Sequence, residues 1–257
     1  MTRVVALANQ KGGVGKTTTA INLGASLAAC ERKVLLIDLD PQANATSGLG
    51  ISKNEPDSIY PVLLDGLSLR SILRPTELAT LKLAPSSVEL VGAELELGAA
   101  EAREFRLKNA IAVVAEDFDY ILIDSPPSLG LLTINGLTAA DSVLVPMQCE
   151  YFAMEGVSQL LNTIERVRES LNPDLEIEGI ALTMYDDRVN LAKQVAQEVR
   201  NHFGDKVYRT LIPRNVRLGE APSFGKPIIL YDIRSRGSEA YVSLAKEFIQ
   251  RAENVIA

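Results

Sequence analysis

Between an apolar run, Val4 to Ala8, and an amphipathic stretch ending near Ala29 lies Gln10-Lys11-Gly12-Gly13-Val14-Gly15-Lys16-Thr17-Thr18. Glycines at a strand-to-helix junction let successive backbone N–H groups face one point, and the positive end of the next helix faces it too. That arrangement binds phosphate. The ordinary loop pattern G-x-x-x-x-G-K-[ST] is met by Gly15-Lys16-Thr17 but fails at Gln10, five positions before Gly15. The physics survives the mismatch. Lys16 is placed to reach the β- and γ-phosphates of a nucleotide and Thr17 to hold Mg²⁺, with Gly12, Gly13, Val14, Gly15 and Thr18 completing the cradle.

Two further runs end in acids. Val34-Leu35-Leu36-Ile37 is followed by Asp38-Leu39-Asp40, and Tyr120-Ile121-Leu122-Ile123 by Asp124-Ser125-Pro126-Pro127. In an open parallel sheet, ligands bind outside the carboxyl ends of the strands, so these acids belong on the edge that meets the phosphates. Mg²⁺ keeps several waters, and one carboxylate reaching it through water is enough. Thr17 and Asp124 are therefore expected to hold the metal, together with one of Asp38 and Asp40. Of Asp38 and Asp40, one orients the ion and the other positions an attacking water.

Other chemistries have little to work with. Two cysteines, Cys30 and Cys149, are far apart, and His202 is the single histidine. That excludes a disulfide framework, a zinc ribbon and Ser-His hydrolysis. Net charge is −7, but it is unevenly spread. Residues 1–187 carry 14 Lys and Arg against 26 Asp and Glu, whereas residues 188–257 carry 12 against 7. A basic final quarter on an acidic body reads equally as an anion-binding face and as a solvated surface.

The elements that must position these residues are visible as Val-, Ile- and Leu-rich runs without polar alternation. They are Val4–Ala8, Val34–Asp38, Tyr120–Asp124, Ser142–Pro146, Ile177–Thr183 and Val207–Ile212. Helix-like segments fall near 17–29, 101–116, 129–140, 155–171, 189–203 and 237–256. This alternation predicts one α/β domain over 1–257, a doubly wound, mostly parallel sheet with helices on both faces. The stretch Ser52–Pro61 reads as a surface excursion. Met1-Thr2-Arg3 leads straight into a strand, so the expected compartment is the cytoplasm and no N-terminal helix-turn-helix extension is expected.

The added Lys11 makes the loop resemble the deviant Walker A motif of the ParA/MinD family of ATPases. The likeness continues through Asp38–Gly50, Asp124–Asn135, Gln148–Gly156 and Ile212–Pro227, and is nearest the short chromosomal, Soj-like branch. It implies ATP and Mg²⁺ as cofactors, and a homodimer with ATP sandwiched between protomers. Lys11 would then reach the partner's phosphates, Gly12 would sit where two loops meet, and Asp40 would serve hydrolysis. Pro213 and Asn215 match positions that recognise adenine, while Arg188 and Arg217 match positions that bind double-stranded DNA without sequence preference. The implied role is chromosome or plasmid partitioning on the nucleoid, with hydrolysis stimulated by a ParB-like partner.

The alternative within the family is a MinD-like membrane-associated positioning ATPase. It needs a basic amphipathic last helix. Here the apolar stripe Leu244, Ala245, Phe248, Ile249, Ala252, Val255 is opposed by mixed charges, Lys246, Glu247, Arg251 and Glu253, and reads as core packing. A metabolic P-loop enzyme would need an acceptor pocket that no motif marks.

Overall fold

The computed structural model describes residues 2–55, 57–98, 100–150 and 153–256, with backbone alone at 153–156 and 254–256. Strand β1 (Arg3–Leu7) runs into helix α1 (Lys16–Ala29), and β2 (Val34–Asp38) follows. A stretch of short elements comes next: α2 (Asn44–Gly48), α3 (Ile59–Leu64), α4 (Leu69–Ile72), β3 (Arg74–Pro75), β4 (Leu81–Ala84), α5 (Leu90–Leu97) and α6 (Arg106–Ala112). Regular alternation then resumes with β5 (Tyr120–Asp124), α7 (Leu131–Ala139), β6 (Ser142–Gln148), α8 (Ala153–Ser170), β7 (Glu176–Thr183) and α9 (Asn190–Phe203). Helices α10 (Val216–Glu220), α11 (Ile228–Tyr231) and α12 (Arg236–Ile256) close the chain.

The strands form one seven-stranded sheet in the order β3-β4-β2-β5-β1-β6-β7. All pairs are parallel except the edge pair β3/β4. Successive side chains of a strand point to opposite faces, and both faces here are covered. Val4, Ala6, Leu35, Ile37, Ile121 and Ile123 join one apolar core; Val5, Leu7, Val34, Leu36, Leu122 and Leu144 join the other. That double burial is why the runs carry no polar alternation. Strand β1 lies between β5 and β6, so the loop leaving it opens at the middle of the sheet's carboxyl edge.

The expected doubly wound sheet is present, with corrections at its margins. Val207–Ile212 is not a strand: it meets β7 at isolated points, through the Ile180–Val207 bridge and bonds from Tyr208 N to Ile180 O and from Ile212 N to Leu182 O, both 2.9 Å. The backbone closes on Gly179, where a Cβ would meet Lys206 O at 2.6 Å and Tyr208 Cε2 at 2.7 Å. The predicted helix over 101–116 shrinks to α6 between two single 3-10 turns. Strands β3 and β4 and helices α2 to α5 were not anticipated. Gln148–Gly156 lies partly outside the described residues, as does the side chain of Val255. Cys149 is buried, and burial pushes its thiol up to about 11. Cys30 is only half-buried.

One crossing ties an early segment of the chain to a late one. Gly50, after α2, and Gly225, before α11, both have positive φ, 79° and 65°. They pass so closely that a Cβ on Gly225 would lie 2.6 Å from Gly50 Cα.

Helix α12 packs along α1. Leu244, Ala245 and Phe248 are fully buried, and the Phe248 ring meets Tyr120 edge-on with centroids 5.4 Å apart. The C-terminal stripe is thus core. No helix among the described residues is long and apolar enough to cross a membrane. Phe248→Ala is expected to lose about 3–5 kcal/mol of unfolding free energy in guanidinium titrations, because it opens a cavity between α12 and the sheet. A loss under about 1 kcal/mol would mean that α12 is not part of the cooperative core.

Candidate nucleotide-binding and catalytic site

The phosphate loop is held from both sides by groups at the strand ends. Asn9 donates from Nδ2 to Pro146 O at 2.8 Å, while its Oδ1 accepts from Lys11 N at 3.0 Å. Thr183 Oγ1 donates to Val14 O at 2.8 Å. Gly13 and Gly15 take positive φ, 76° and 88°, and Gly15 is the N-cap of α1. Such a turn aims backbone N–H groups outward at the positive end of a 14-residue helix. Gly12 and Gly13 face open space: among the described residues nothing lies within 4 Å of where a Cβ would stand.

Lys16, the first residue of α1, is buried and folds back so that Nζ donates to Lys11 O at 3.3 Å. Burial lowers its pKa, while the charges of Asp124 and Asp40 pull the other way. Lys11 points elsewhere, pairing through Nζ with Glu150 Oε2 at 2.7 Å. Both partners are partly exposed, so the pair holds Lys11 by at most about 1 kcal/mol.

The acids are unequal. Asp38 and Asp124 are register partners on β2 and β5, and both are fully buried. Asp38 is well supplied: Oδ2 accepts from Thr46 N at 2.8 Å and Thr46 Oγ1 at 2.7 Å, and Oδ1 accepts from Asp40 N at 3.1 Å. Burial still pushes its pKa up to about 6 against these bonds. Neither oxygen of Asp124 has a hydrogen-bond partner of ordinary geometry among the described residues. Burial raises its pKa well above the carboxylate range, the charges of Asp38 and Asp40 add to this, and the Thr17 hydroxyl and Lys16 work against it. A buried carboxylate with two unused oxygens, beside a first-turn threonine hydroxyl, is an oxygen donor set suited to a hard dication. Thr17 and Asp124 therefore fit Mg²⁺, whereas the oxygens of Asp38 are committed to α2 and the Asp40 backbone.

Asp40 is buried near the end of this edge. Its Oδ1 accepts from Gln42 N at 2.9 Å, and its carbonyl accepts from Ser86 Oγ at 2.7 Å. Ser86 N in turn donates to Thr46 Oγ1 at 2.9 Å, so Thr46 and Ser86 fix the whole acidic segment. Sequence reading missed both. Thr46 falls within the segment that carries the family likeness, but Ser86 has no local signal.

Pro213 and Asn215 lie together with Gly15, Thr18, Met184 and Tyr241 around a cavity of about 250 Å³ beside the loop. Asn215 caps α10, its Oδ1 accepting from Arg217 N at 2.8 Å, which leaves its amide N–H₂ to face an acceptor. Met184 holds a positive φ of 50° there, a strained conformation for a side chain at a pocket wall. No sequence cue pointed to it.

The two predicted DNA-binding arginines stand apart from the phosphate loop, and both are paired to acids. Arg188 grips Asp186 through Nε at 2.9 Å and Nη2 at 2.7 Å. Arg217 reaches Glu220 at 2.8 Å and Asp232 at 3.5 Å. Arg188 shares a hollow of about 360 Å³ with Arg214 and Arg236, and the acids Asp186 and Asp187 line the same hollow. Lys193 and Arg234 are exposed, and Lys246 lines a different groove, between α9 and α12.

A family model described as an AAA domain matches residues 2–177. The chromosome partitioning protein ParA of Myxococcus xanthus (strain DK1622) is 57% identical over 250 residues, covering 97% of this chain and 88% of that one. The sporulation initiation inhibitor protein Soj of Bacillus subtilis (strain 168) is 58% identical over 248 residues, covering 96% and 98%. Among solved structures, cobyrinic acid a,c-diamide synthase from Mycobacterium smegmatis, with bound ATP analogue and magnesium, matches with a TM-score of 0.87. It is 40% identical and covers 98% of this chain and 96% of that one.

The strained acid pair has a measurable consequence. Both folded pKa values lie above the unfolded carboxylate value, so the folded state binds more protons and stability falls as pH rises from about 4 through the value of about 6 for Asp38 and through the raised value of Asp124. Asp124→Asn should stabilise the ligand-free protein at pH 8 by on the order of 1–3 kcal/mol. The gain should shrink toward pH 4. Guanidinium unfolding at the two pH values checks this, and equal gains at both would mean that the pair carries no such strain.

Proposed function

The chain belongs to the ParA/Soj family of chromosome-partitioning ATPases, and on that premise we propose that it is an ATP-dependent dimerising switch. Two protomers close face to face on ATP, the dimer binds bulk double-stranded DNA, and a ParB-like partner stimulates hydrolysis and release. The observation that carries this reading is the open space before Gly12 and Gly13. Phosphoryl transfer to water depends on positioning and charge neutralisation in a site that excludes solvent. This chain supplies the positioning groups and leaves that side uncovered, so a second copy supplies the closure.

In this reading Lys16 and the loop amides hold the β- and γ-phosphates, and Pro213 and Asn215 receive the adenine. Thr17 and Asp124 hold Mg²⁺, and Asp38 stands beside them on β2, fixed by Thr46 and the Asp40 backbone. When bound, the ion neutralises charge on the phosphate oxygens. Asp40 positions the attacking water. Lys11 leaves Glu150 and crosses to the partner's phosphates, an exchange made easy by the weakness of an exposed ion pair. Arg188 and Arg217 likewise trade Asp186, Glu220 and Asp232 for DNA phosphates. The expected setting is the cytoplasm, on the nucleoid. The burial of Leu244, Ala245 and Phe248 speaks against a membrane-seeking last helix.

Gly12→Val tests the closure. A Cβ at this position meets nothing within 4 Å in its own chain, so the variant should fold and bind ATP with near-normal affinity. It should nevertheless dimerise at least tenfold more weakly in sedimentation with ATP; a normal ATP dimer would sink the sandwich.

The DNA face has its own measurement. Affinity for non-specific DNA falls with salt at a slope of about −0.9 per phosphate contact. Arg188→Ala with Arg217→Ala removes two contacts per protomer, so the slope should flatten by roughly 3 to 4 units for the dimer, equally for unrelated sequences. An unchanged slope would move the DNA face elsewhere, and loss of the ATP dimer would assign these arginines to the subunit interface.

A further inference from the structure

The segment that follows Asp40 turns sharply at a residue poorly suited to the turn. Ala43 holds a left-handed backbone, φ 50°, and is buried. A residue with a Cβ is strained there and stays only where its surroundings impose the conformation. Ala43 also opens α2 without a side-chain cap, so the helix itself does little to hold it. The bonds that impose the turn come from two sides.

From the core, Ser86 Oγ donates to Asp40 O at 2.7 Å, and the same carbonyl accepts from Ala43 N at 2.8 Å. Ser86 follows β4 in a turn that the start of α3 pins. Ile59 N donates to Pro85 O at 2.8 Å, and Ser58 Oγ donates to Ser87 Oγ at 3.1 Å. Ser58, Ser86 and Ser87 are all buried, so this tie is fixed by the interior. From the surface, the exposed Lys53 donates through Nζ to Gln42 O at 2.6 Å and to Asn44 Oδ1 at 3.0 Å. An ammonium carries three donors, so one side chain holds both acceptors, and a charged donor grips a carbonyl more firmly than a neutral one. Gln42 is also the residue whose N–H reaches the Asp40 carboxylate, at Oδ1 and 2.9 Å.

We propose that Lys53 and Ser86 are positioning residues for hydrolysis, clamping the turn from Asp40 to Asn44 from outside and from inside so that the Asp40 carboxylate keeps its aim. This rests on Asp40 as the acid that positions the attacking water. Neither residue belongs to the phosphate loop or lines the cavity beside it, so nucleotide binding is spared when either is lost. Turnover is not spared, because a displacement of about 1 Å in a reacting group costs up to about a hundredfold in rate.

The measurement is single-turnover hydrolysis of radiolabelled ATP by the full chain, with Mg²⁺ and protein in excess, beside titration of a fluorescent ATP analogue for affinity. Ser86→Ala should slow turnover at least tenfold, and Lys53→Met, at an exposed position, at least threefold. Affinity should stay within twofold in both. Lys53→Arg keeps a cationic donor and should restore at least half the wild-type rate, which a general loss of stability would not permit. Wild-type turnover in Lys53→Met or in a folded Ser86→Ala would overturn the clamp. A matching loss of ATP affinity, or no recovery in Lys53→Arg, would do the same by making the contacts merely structural. Should Ser86→Ala fail to fold, the two Lys53 variants decide the matter alone. Asp40→Ala is run alongside: normal turnover there removes the water-positioning acid and the clamp with it. Slow turnover there, beside wild-type rates in the clamp variants, removes the clamp alone.

Discussion

Two buried carboxylates in register on neighbouring strands set the terms for everything at the sheet's carboxyl edge. Asp38 and Asp124 sit opposite each other on β2 and β5, out of water, where like charges repel strongly and each ion loses its hydration. The fold resolves this asymmetrically. Asp38 receives three hydrogen bonds from Thr46 and the Asp40 backbone. Asp124 receives none of ordinary geometry, and only the nearby Thr17 hydroxyl and Lys16 ammonium offset its charge. A proton or a cation on the free oxygens would recover the stability lost there, which would make ligand binding and folding parts of one equilibrium.

The loop that faces these acids is rigid for reasons that lie outside it. Asn9 ties it to β6 and Thr183 ties it to β7, so its backbone is held in place before any ligand arrives. Pre-set donors do not have to be ordered at the moment of binding, which is where much of the cost of gripping a highly charged ligand would otherwise fall. By contrast, the groups assigned to partners outside the chain, Lys11, Arg188 and Arg217, are all parked on acids of their own chain. Their exposed pairs are weak enough to exchange and strong enough to keep bare cations from attracting stray anions.

Much of this was legible in the sequence because it depends on short-range rules. A central parallel strand buried on both faces must read as an unbroken apolar run, and β1, β2, β5, β6 and β7 all do. A phosphate loop must carry its glycines, lysine and threonine in fixed order. What escaped was decided by distant contacts. Helices α2 to α4 are four to six residues long, too short for a helical period, and β4 is four residues with Lys82 in the middle of it. Val207–Ile212 has the composition of a strand but reaches β7 only at isolated points. The bracing of Asp38 by Thr46 and Ser86 brings together residues 40 apart, and no local pattern announces it.

The crossing of Gly50 and Gly225 restricts how this chain can change over time. Each residue adopts a left-handed backbone and each occupies the space where the other's side chain would go. Most tight contacts tolerate drift because an enlargement on one side can be offset by a reduction on the other. Here neither partner has anything left to remove, so no second substitution at the crossing can rescue a first. The segment behind Asp38 and the segment beside Arg217 are thereby bound to a shared backbone geometry, and sequence change on either must be absorbed somewhere other than at this point.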